Sequence, residues 1–222
     1  MRRFRIAAFV MAVVALHPAP HARQEPVSPA TQALGKGWDP AYENPAFNLE
    51  PNAFLVAVVK DLKPGTALDV GMGQGRNALF LARQGWRATG FDVSGVAVRK
   101  AREAARTTRV DLSARVQSAE EFNWGEERWD LIVVTYFPRL RNVMPQIVAS
   151  LTRGGHLVVE AYHADIVLDR PAGAGAGVTF QSGELRTLIA PLSVVRYEEP
   201  RERADWGMFE TRLVRLLAQK AP

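Results

Sequence analysis

Hydrophobic residues along most of the chain follow two alternating patterns. Helical patterns, with apolar residues three and four positions apart, cover residues 51–65, 76–85, 94–106 and 141–151. Short apolar runs, typical of buried strands, cover residues 66–70, 86–93, 113–117, 129–137 and 154–162. Because strand and helix patterns alternate, the sequence predicts an α/β fold with a doubly wound, mostly parallel sheet and right-handed crossovers.

The end of the chain departs from this alternation. After a helical segment at residues 182–190, two strand-like runs cover residues 192–199 and 208–220, and the loop between them is too short to hold a helix. Strands joined in this way pair as an antiparallel hairpin. The predicted sheet therefore has seven strands, of which the first five are parallel, and it is closed by an antiparallel C-terminal hairpin.

The N-terminal region has a different character. In residues 1–22, three arginines precede an apolar run at residues 6–16, and a segment containing proline and alanine follows. This order is typical of a secretory signal, although Pro20 makes a cleavage site after Ala22 imperfect. An uncleaved anchor and a mis-assigned start codon are the alternatives, and the apolar run is too short for a stable membrane span.

The remaining chain is predicted to form one domain. A length of 222 residues suits a single domain, which the patterns place at residues 38–222. Residues 23–37 contain prolines and small residues without periodicity, so we expect a flexible tether there.

The positive charge is concentrated near the N-terminus. The formal net charge is +5, but four of the 28 Lys and Arg residues lie in residues 1–23, which contain none of the 23 acidic residues. The domain is therefore close to neutral, which does not indicate a nucleic-acid partner, although basic residues cluster at 99–106. Cysteine is absent and only His156 and His163 lie beyond the N-terminal region, so no metal site is predicted.

Residues 67–77 read ALDVGMGQGRN, a strand followed by three glycines at alternate positions. A dinucleotide-binding turn requires G-x-G-x-x-G, and Arg76 stands where its last glycine is expected. Asp92 follows Gly73 by 19 residues at the end of the second strand, where an acid accepts both hydroxyls of a ribose. That acid is common to NAD and S-adenosylmethionine sites, whereas the turn and the terminal hairpin together disfavour a nicotinamide-dependent oxidoreductase.

These motifs resemble those of the class I S-adenosylmethionine-dependent methyltransferases. Residues 67–94 are similar to motif I and the second strand of that family, and the G-x-G-Q-G-R-N variant most resembles the tellurite-resistance-like branch. WDLIVVTYF at 129–137 and LTRGGHLVVEAY at 151–162 resemble the motifs of the fourth and fifth strands. The similarity covers roughly residues 51–220. It implies a Rossmann-like methyltransferase fold with S-adenosylmethionine as the cofactor.

The resemblance also assigns cofactor contacts to individual residues. Asp92 would bind the ribose and Val93 would pack against the adenine ring. The methionine moiety, whose ammonium Asp69 would face, would be held by Asp69, Gly71, Met72 and Gly73.

Two further contacts are less defined by the motifs. The family usually carries an acid after the third strand that accepts a hydrogen bond from the adenine amino group, and Ser118 occupies this position. The contact is therefore left to Ser118, to the backbone at Ala119 or to Glu120. Thr135, at the end of the fourth strand, would lie near the sulfonium. For Asp69 and Thr135 the alternative is a structural role as a cap of neighbouring backbone.

The implied reaction is in-line methyl transfer to a small-molecule acceptor such as a thiol, a hydroxyl or a chalcogen anion. A base is needed only where the acceptor must lose a proton. Tyr136, Tyr162 and His163 are the candidates, and each could instead serve only as a wall of the site. The signature of amino-group methyltransferases is absent, since residues 135–138 read TYFP. Residues 163–180, which contain a glycine–alanine tract, are expected to form a mobile lid or a loop without a role.

Two alternatives stay open at this point. The chain could bind S-adenosylmethionine as a scaffold without turnover. The signal-like segment indicates export to the periplasm or the exterior, whereas the supply of this cofactor indicates the cytoplasm, so two incompatible locations are predicted. No pattern predicts the oligomeric state.

Overall fold

The computed structural model describes residues 26–43, 48–169 and 177–222. Its helices and strands, in chain order, are α1 (Pro29–Glu43), α2 (Ala53–Val59), β1 (Thr66–Val70), α3 (Arg76–Arg83), β2 (Arg87–Asp92), α4 (Gly95–Thr108), β3 (Leu112–Val116), β4 (Trp129–Thr135), α5 (Leu140–Ser150), β5 (Leu151–His163), α6 (Ile166–Asp169), β6 (Thr179–Phe180), α7 (Glu184–Leu188), β7 (Ser193–Glu198), β8 (Arg201–Arg203) and β9 (Glu210–Gln219).

Seven of these strands form one sheet in the order β3-β2-β1-β4-β5-β9-β7. The first five strands of the chain pair in parallel, and β9 runs antiparallel to both β5 and β7. Two short strands lie beside this path, where β6 pairs with β5 and β8 pairs with β9. The predicted seven-stranded, mostly parallel sheet with an antiparallel C-terminal hairpin is therefore confirmed.

Helices cover both faces of the sheet because successive side chains of a strand point to opposite sides. In β4, Ile132 and Val134 pack in one core cluster with apolar side chains of α5. Leu131 and Val133 pack on the opposite face with side chains of α2 and α3. With both faces covered, the loops at the carboxyl ends of β1 to β4 are left together along one edge.

Helix α1 includes residues 29–37, which belong to the segment 23–37 where a flexible tether was expected. The helix begins at Pro29, and the Oγ atom of Ser28 accepts a hydrogen bond from the backbone N–H of Thr31 at 3.1 Å. The same hydroxyl donates to the carboxylate of Glu121 at 2.6 Å. Thr31 and Gly35 are buried within the helix. Contacts with distant parts of the chain thus stabilise a helix in a segment whose own composition does not predict one.

Several predictions concern residues that the structure does not describe. The signal-like segment 1–22 lies outside the described residues, and so do residues 170–176 of the predicted lid. On either side of that gap the chain forms α6 and β6. The division into domains stays a prediction. None of the helices in the described residues is long and apolar enough to cross a bilayer.

Candidate active site

A cavity of about 280 Å³ opens at the carboxyl ends of β1 to β4. Ligands of open parallel sheets bind at this edge, beside the point where the strand order reverses, which here lies between β1 and β4. Eight of the residues predicted to bind a cofactor line this cavity. They are Gly71, Met72, Gly73, Asp92, Val93, Ala119, Glu120 and Thr135.

The glycine-rich turn after β1 brings the backbone close to two helices. Gly73 has a φ of +56°, and a Cβ at this position would lie 2.9 Å from the hydroxyl of Tyr42 in α1. Gly75 has a φ of +80°, and a Cβ there would lie 3.0 Å from the Cβ of Ala101 in α4. In a dinucleotide-binding turn, the last glycine would stand at position 76 and allow close packing of a helix. Here Gly75 allows that close packing instead. This explains why Arg76 can follow it as the first residue of α3.

The carboxylate of Asp92 is held by two backbone groups. Its Oδ2 accepts the N–H of Gly73 at 2.9 Å, and its Oδ1 accepts the N–H of Ser94 at 2.8 Å. Burial raises the pKa of Asp92 to about 6, while these hydrogen bonds oppose the rise. A carboxylate has about four lone-pair positions, so Asp92, which lines the cavity, can accept further hydrogen bonds there. This is what the two hydroxyls of a ribose require.

Asp69 does not line the cavity. It is 1% exposed, and its Oδ2 accepts the backbone N–H of Ala78, in the first turn of α3, at 3.0 Å. Burial raises the pKa of Asp69 to about 7. The structure therefore shows the capping contact that was the alternative for this residue, and a contact with an ammonium group stays a prediction.

The loop after β3 presents two of its three candidate groups to the cavity. Ser118 is buried, and its backbone N–H donates to the Oγ1 of Thr31 at 3.1 Å. Ser118 does not line the cavity, whereas Ala119 and Glu120 do. The carboxylate of Glu120 lies 2.7 Å from the guanidinium of Arg139 at the rim. The contact of an adenine amino group with Ser118, Ala119 or Glu120 stays a prediction.

At the end of β4 the backbone is strained. Thr135 accepts a hydrogen bond at 3.1 Å from the side-chain amide of Asn77. Tyr136 follows with a φ of +53°, a conformation that is uncommon for a bulky residue. Its backbone N–H donates to the carbonyl of Glu160 at 2.8 Å, and its hydroxyl donates to the Glu160 carboxylate. Strain of this kind persists only where surrounding contacts hold it in place, and it is typical of functional sites.

Glu160 is the centre of a buried polar network. It is 1% exposed, and the antiparallel register of β5 and β9 places Arg215 directly opposite. The Arg215 Nε donates to the Glu160 carboxylate at 2.6 Å, and the side-chain amide of Asn52 donates at 2.7 Å. Burial, together with the negative charge of Glu160, raises the pKa of Tyr136 well above its usual value. The Tyr136 hydroxyl therefore keeps its proton at neutral pH.

Residues 42–205 match a family model described as tellurite resistance protein TehB, and this match covers well over half of the chain. The chain belongs to the TehB family. The resemblance to the tellurite-resistance-like branch of the class I methyltransferases is thereby confirmed.

Curated relatives match just under two thirds of this TehB-family chain. Hemagglutinin 1 of Eikenella corrodens is 32% identical over 149 residues, which are 64% of this chain and 48% of that protein. The probable S-adenosyl-L-methionine-dependent methyltransferase TehB of Haemophilus influenzae (strain 10810) is 26% identical over 152 residues, which are 65% of this chain and 52% of that protein. The chain thus spans about half the length of these two relatives.

Solved structures confirm the Rossmann-like methyltransferase fold. The crystal structure of TehB from Haemophilus influenzae has a TM-score of 0.67 at 22% identity and covers 84% of this chain and 66% of that chain. N-methyltransferase NodS from Bradyrhizobium japonicum WM9, in complex with S-adenosyl-L-homocysteine, has a TM-score of 0.65 at 20% identity. That match covers 85% of this chain and 98% of the NodS chain.

Two of the three candidate bases of this TehB-family chain lie outside the cavity. Tyr162 is buried with its ring 4.9 Å from that of Tyr136, on which it packs. His163 is also buried, and its Nδ1 lies 2.8 Å from the carboxylate of Asp165. The reason is that β5 continues through His163 and pairs there with β6. Both residues belong to β5 and neither lines the cavity. Of the three candidates, only Tyr136 lines it.

The sequence analysis missed the contribution of the loop between β8 and β9. Trp206 of this loop lines the cavity. The neighbouring Asp205 accepts hydrogen bonds from Arg76 at 2.8 Å, from the side chain of Asn52 at 2.8 Å and from the backbone of Ala53 at 3.1 Å. These partners lie more than a hundred residues away along the chain, so no local spacing predicts them.

Proposed function

We propose that the protein is an S-adenosylmethionine-dependent methyltransferase that acts on a small-molecule acceptor. The observation that carries this proposal is Asp92, whose two oxygens are fixed by the N–H groups of Gly73 and Ser94 and whose remaining lone pairs are available to the cavity. A nucleoside diol fits this donor and acceptor set. Membership of the TehB family supports the same cofactor.

The residues around Asp92 suit the other parts of this cofactor. Phe91 and Val93 line the cavity on either side of Asp92 and offer apolar surface for an adenine ring. Glu120 and the backbone at Ala119 provide acceptors for its amino group. The turn at Gly71 and Gly73 leaves room for the methionine moiety. When bound, S-adenosylmethionine supplies an electrophilic methyl group on a sulfonium, which is a good leaving group.

The acceptor end of the cavity is formed by Thr135, Tyr136, Phe137 and Trp206. These side chains exclude water and orient the acceptor, so the main contribution of the protein is alignment. The Tyr136 hydroxyl donates to Glu160 and keeps its proton, so it does not act as a base at neutral pH. A nucleophile that attacks through an available lone pair, such as an ionised thiol, suits this wall. Thr135, Tyr136, Phe137 and Trp206 would hold such a nucleophile against the methyl group that S-adenosylmethionine would supply when bound.

The charges around the cavity also favour a small acceptor. The two cationic side chains that line it are paired, Arg76 with Asp205 at 2.8 Å and Arg139 with Glu120 at 2.7 Å. In the basic cluster of α4, Lys100 donates to the carbonyl of Tyr42, Arg102 to the carbonyl of Ala114 and Arg106 to the carboxylate of Glu103. Among the described residues that line the cavity, every cationic side chain is thus paired with an acid, which does not favour a polyanion there.

A methyl-transfer assay is the first test of this proposal. With cofactor labelled in its methyl group, we expect label to enter small thiols, phenols or chalcogen oxyanions. RNA and protein extracts are assayed beside them under the same conditions. Label found only in macromolecules would contradict a small acceptor while leaving methyl transfer in place. Binding of the cofactor without any transfer would instead identify a scaffold without turnover.

Cofactor affinity is expected to rise with pH. The pKa of Asp92 is raised to about 6, so a lower pH protonates its carboxyl, which then loses its charge as an acceptor for the ribose. One pH unit below that pKa, the affinity for S-adenosylhomocysteine should be about tenfold weaker. In the ligand-free protein the sign is opposite, because ionising the buried carboxyl costs stability and that cost grows as the pH rises towards about 6.

Calorimetric titrations between about pH 5 and pH 7.5 measure this dependence. The Asp69→Asn variant is the control, since burial also raises the pKa of Asp69, to about 7. If Asp92 is responsible, the inflection remains in this variant. A profile without an inflection, or one that disappears in Asp69→Asn, would contradict the assignment to Asp92.

A further inference from the structure

Helix α1 lies almost entirely before the part of the chain that matches the TehB family, yet it contributes a wall of the cavity. The family match begins at residue 42, whereas α1 spans Pro29–Glu43. Leu34, Trp38 and Tyr42 line the cavity. They are spaced four residues apart, which places them on one face of the helix.

Two of these side chains present apolar surface that the described residues leave partly uncovered. Leu34 is 39% exposed and Trp38 is 37% exposed, although both lie against the cavity. Tyr42 is only 8% exposed, with its hydroxyl next to the turn at Gly73. Exposed apolar side chains that converge on a cavity mark a ligand-binding surface. An indole in this position suits a flat, aromatic ligand group.

The adjacent side of α1, which carries Gly35 and Asp39, is fastened to the loop after β2. Asp39 accepts a hydrogen bond from the Oγ of Ser94 at 2.5 Å and a longer one from the N–H of Val96 at 3.3 Å. Gly35 packs against the same loop, where a Cβ would lie 2.2 Å from the carbonyl oxygen of Val93. This loop follows directly after Asp92.

A second set of contacts fastens α1 to the loop after β3. Ser28 and Thr31 donate to the two carboxylate oxygens of Glu121, at 2.6 Å and 2.8 Å. Thr31 also accepts the backbone N–H of Ser118 at 3.1 Å. Ala119 and Glu120, which line the cavity, stand between these two anchor points. One helix thus holds both of the loops that surround the adenosine end of the cavity.

We propose that α1 is part of the cofactor site, with Trp38 as a contact of the adenosine group and Gly35 as the position that sets the distance between the helix and the site. This inference rests on the proposed function. It makes cofactor affinity depend on residues that precede the family match.

Two glycines of α1 provide a matched test. A Cβ on Gly35 meets a backbone oxygen at 2.2 Å, which cannot rotate away, whereas a Cβ on Gly37 meets nothing within 4 Å. Both glycines lie in the same helix, and alanine favours a helix over glycine at either position. A difference between Gly35→Ala and Gly37→Ala therefore reports the seating of α1 and not its helical propensity.

Calorimetric titration of the full chain with S-adenosylhomocysteine is the experiment. We expect Gly37→Ala to bind like the wild type, and Gly35→Ala to bind about tenfold more weakly or worse. Trp38→Ala should also lose about tenfold, the effect expected when a base loses an aromatic stacking partner, and Trp38→Phe should recover most of it. Circular dichroism of each variant shows whether the sheet is intact.

The outcomes separate the two proposals. A wild-type chain that binds neither S-adenosylmethionine nor S-adenosylhomocysteine contradicts the proposed function itself. If the wild type binds, unchanged affinity in a folded Gly35→Ala variant or in Trp38→Ala overturns the role of α1. If Gly35→Ala does not fold, Trp38→Ala and Trp38→Phe decide alone.

Discussion

Replacing Asp92 with alanine is expected to abolish measurable cofactor binding. The carboxylate would serve two ribose hydroxyls, and each hydrogen bond to a charged acceptor contributes about 1.5–3 kcal/mol. Loss of both weakens binding by at least about a hundredfold. The N–H groups of Gly73 and Ser94 also lose their acceptor, which loosens the turn that the methionine moiety would occupy. Titration calorimetry with S-adenosylhomocysteine measures the change.

Asp130 provides the matched control for this variant. It accepts the backbone N–H of Thr66 at 2.7 Å, so like Asp92 it is an aspartate that accepts a backbone hydrogen bond. It lies near the start of β4, at the opposite edge of the sheet from the cavity. Asp130→Ala should alter stability and leave cofactor affinity unchanged. If a folded Asp92→Ala variant binds the cofactor with wild-type affinity, the assignment of the ribose site to the carboxyl end of β2 is wrong.

The core of the fold could be predicted because its strands are buried on both faces. Within residues 129–137, positions 131–134 are all aliphatic, a pattern typical of a strand buried on both faces. The boundary was less accurate, since β4 ends at Thr135 and Tyr136 turns away with a positive φ. Hydrophobicity predicts burial, and Tyr136 is buried without being part of the strand.

Helix α1 could not be predicted because its stability is tertiary. Residues 23–37 contain prolines and two glycines, which disfavour a helix when they are judged locally. What orders the segment is a set of partners far along the chain, such as Glu121 for Ser28 and Thr31. The spacing of Leu34, Trp38 and Tyr42 was the one local signal, and it is visible only once the segment is considered as a helix.

The positions of Tyr162 and His163 at the end of β5 also depend on contacts with distant parts of the chain. Tyr162 and His163 were expected to follow the strand, as residues after the other parallel strands do. At this point, however, Tyr162 pairs with Thr179 of β6 on one side and with Leu213 of β9 on the other. Pairing on both edges keeps the residues inside the sheet, so their side chains pack in the core and not in the cavity.

Replacing Glu160 with alanine is expected to have the largest effect on stability. Glu160 is 1% exposed and is paired with Arg215, whose side chain is 11% exposed. Removing one partner of a buried ion pair costs about 3–5 kcal/mol, because the other charge stays buried. Arg215 retains contacts with Glu198 and Glu202, so we expect the lower end, about 3 kcal/mol. For a chain of this length that lowers the melting temperature by roughly 6–12 °C.

Glu202 distinguishes this effect from a general loss of negative charge near Arg215. The Glu202 carboxylate lies 2.9 Å from the same guanidinium, but its side chain is 54% exposed, and an exposed pair contributes about 1 kcal/mol or less. Urea unfolding should therefore rank Glu160→Ala well below Glu202→Ala in stability, with Glu160→Gln between them because it keeps the hydrogen bonds of its carbonyl oxygen. Equal losses in Glu160→Ala and Glu202→Ala would contradict a central role for the buried pair.

Glu160 also accepts the hydroxyl of Tyr136, so Glu160→Ala removes a contact that holds a strained residue against the acceptor end of the cavity. Methyl transfer by folded Glu160→Ala should therefore fall more than its affinity for S-adenosylhomocysteine, since Asp92 and the glycine turn lie outside this network.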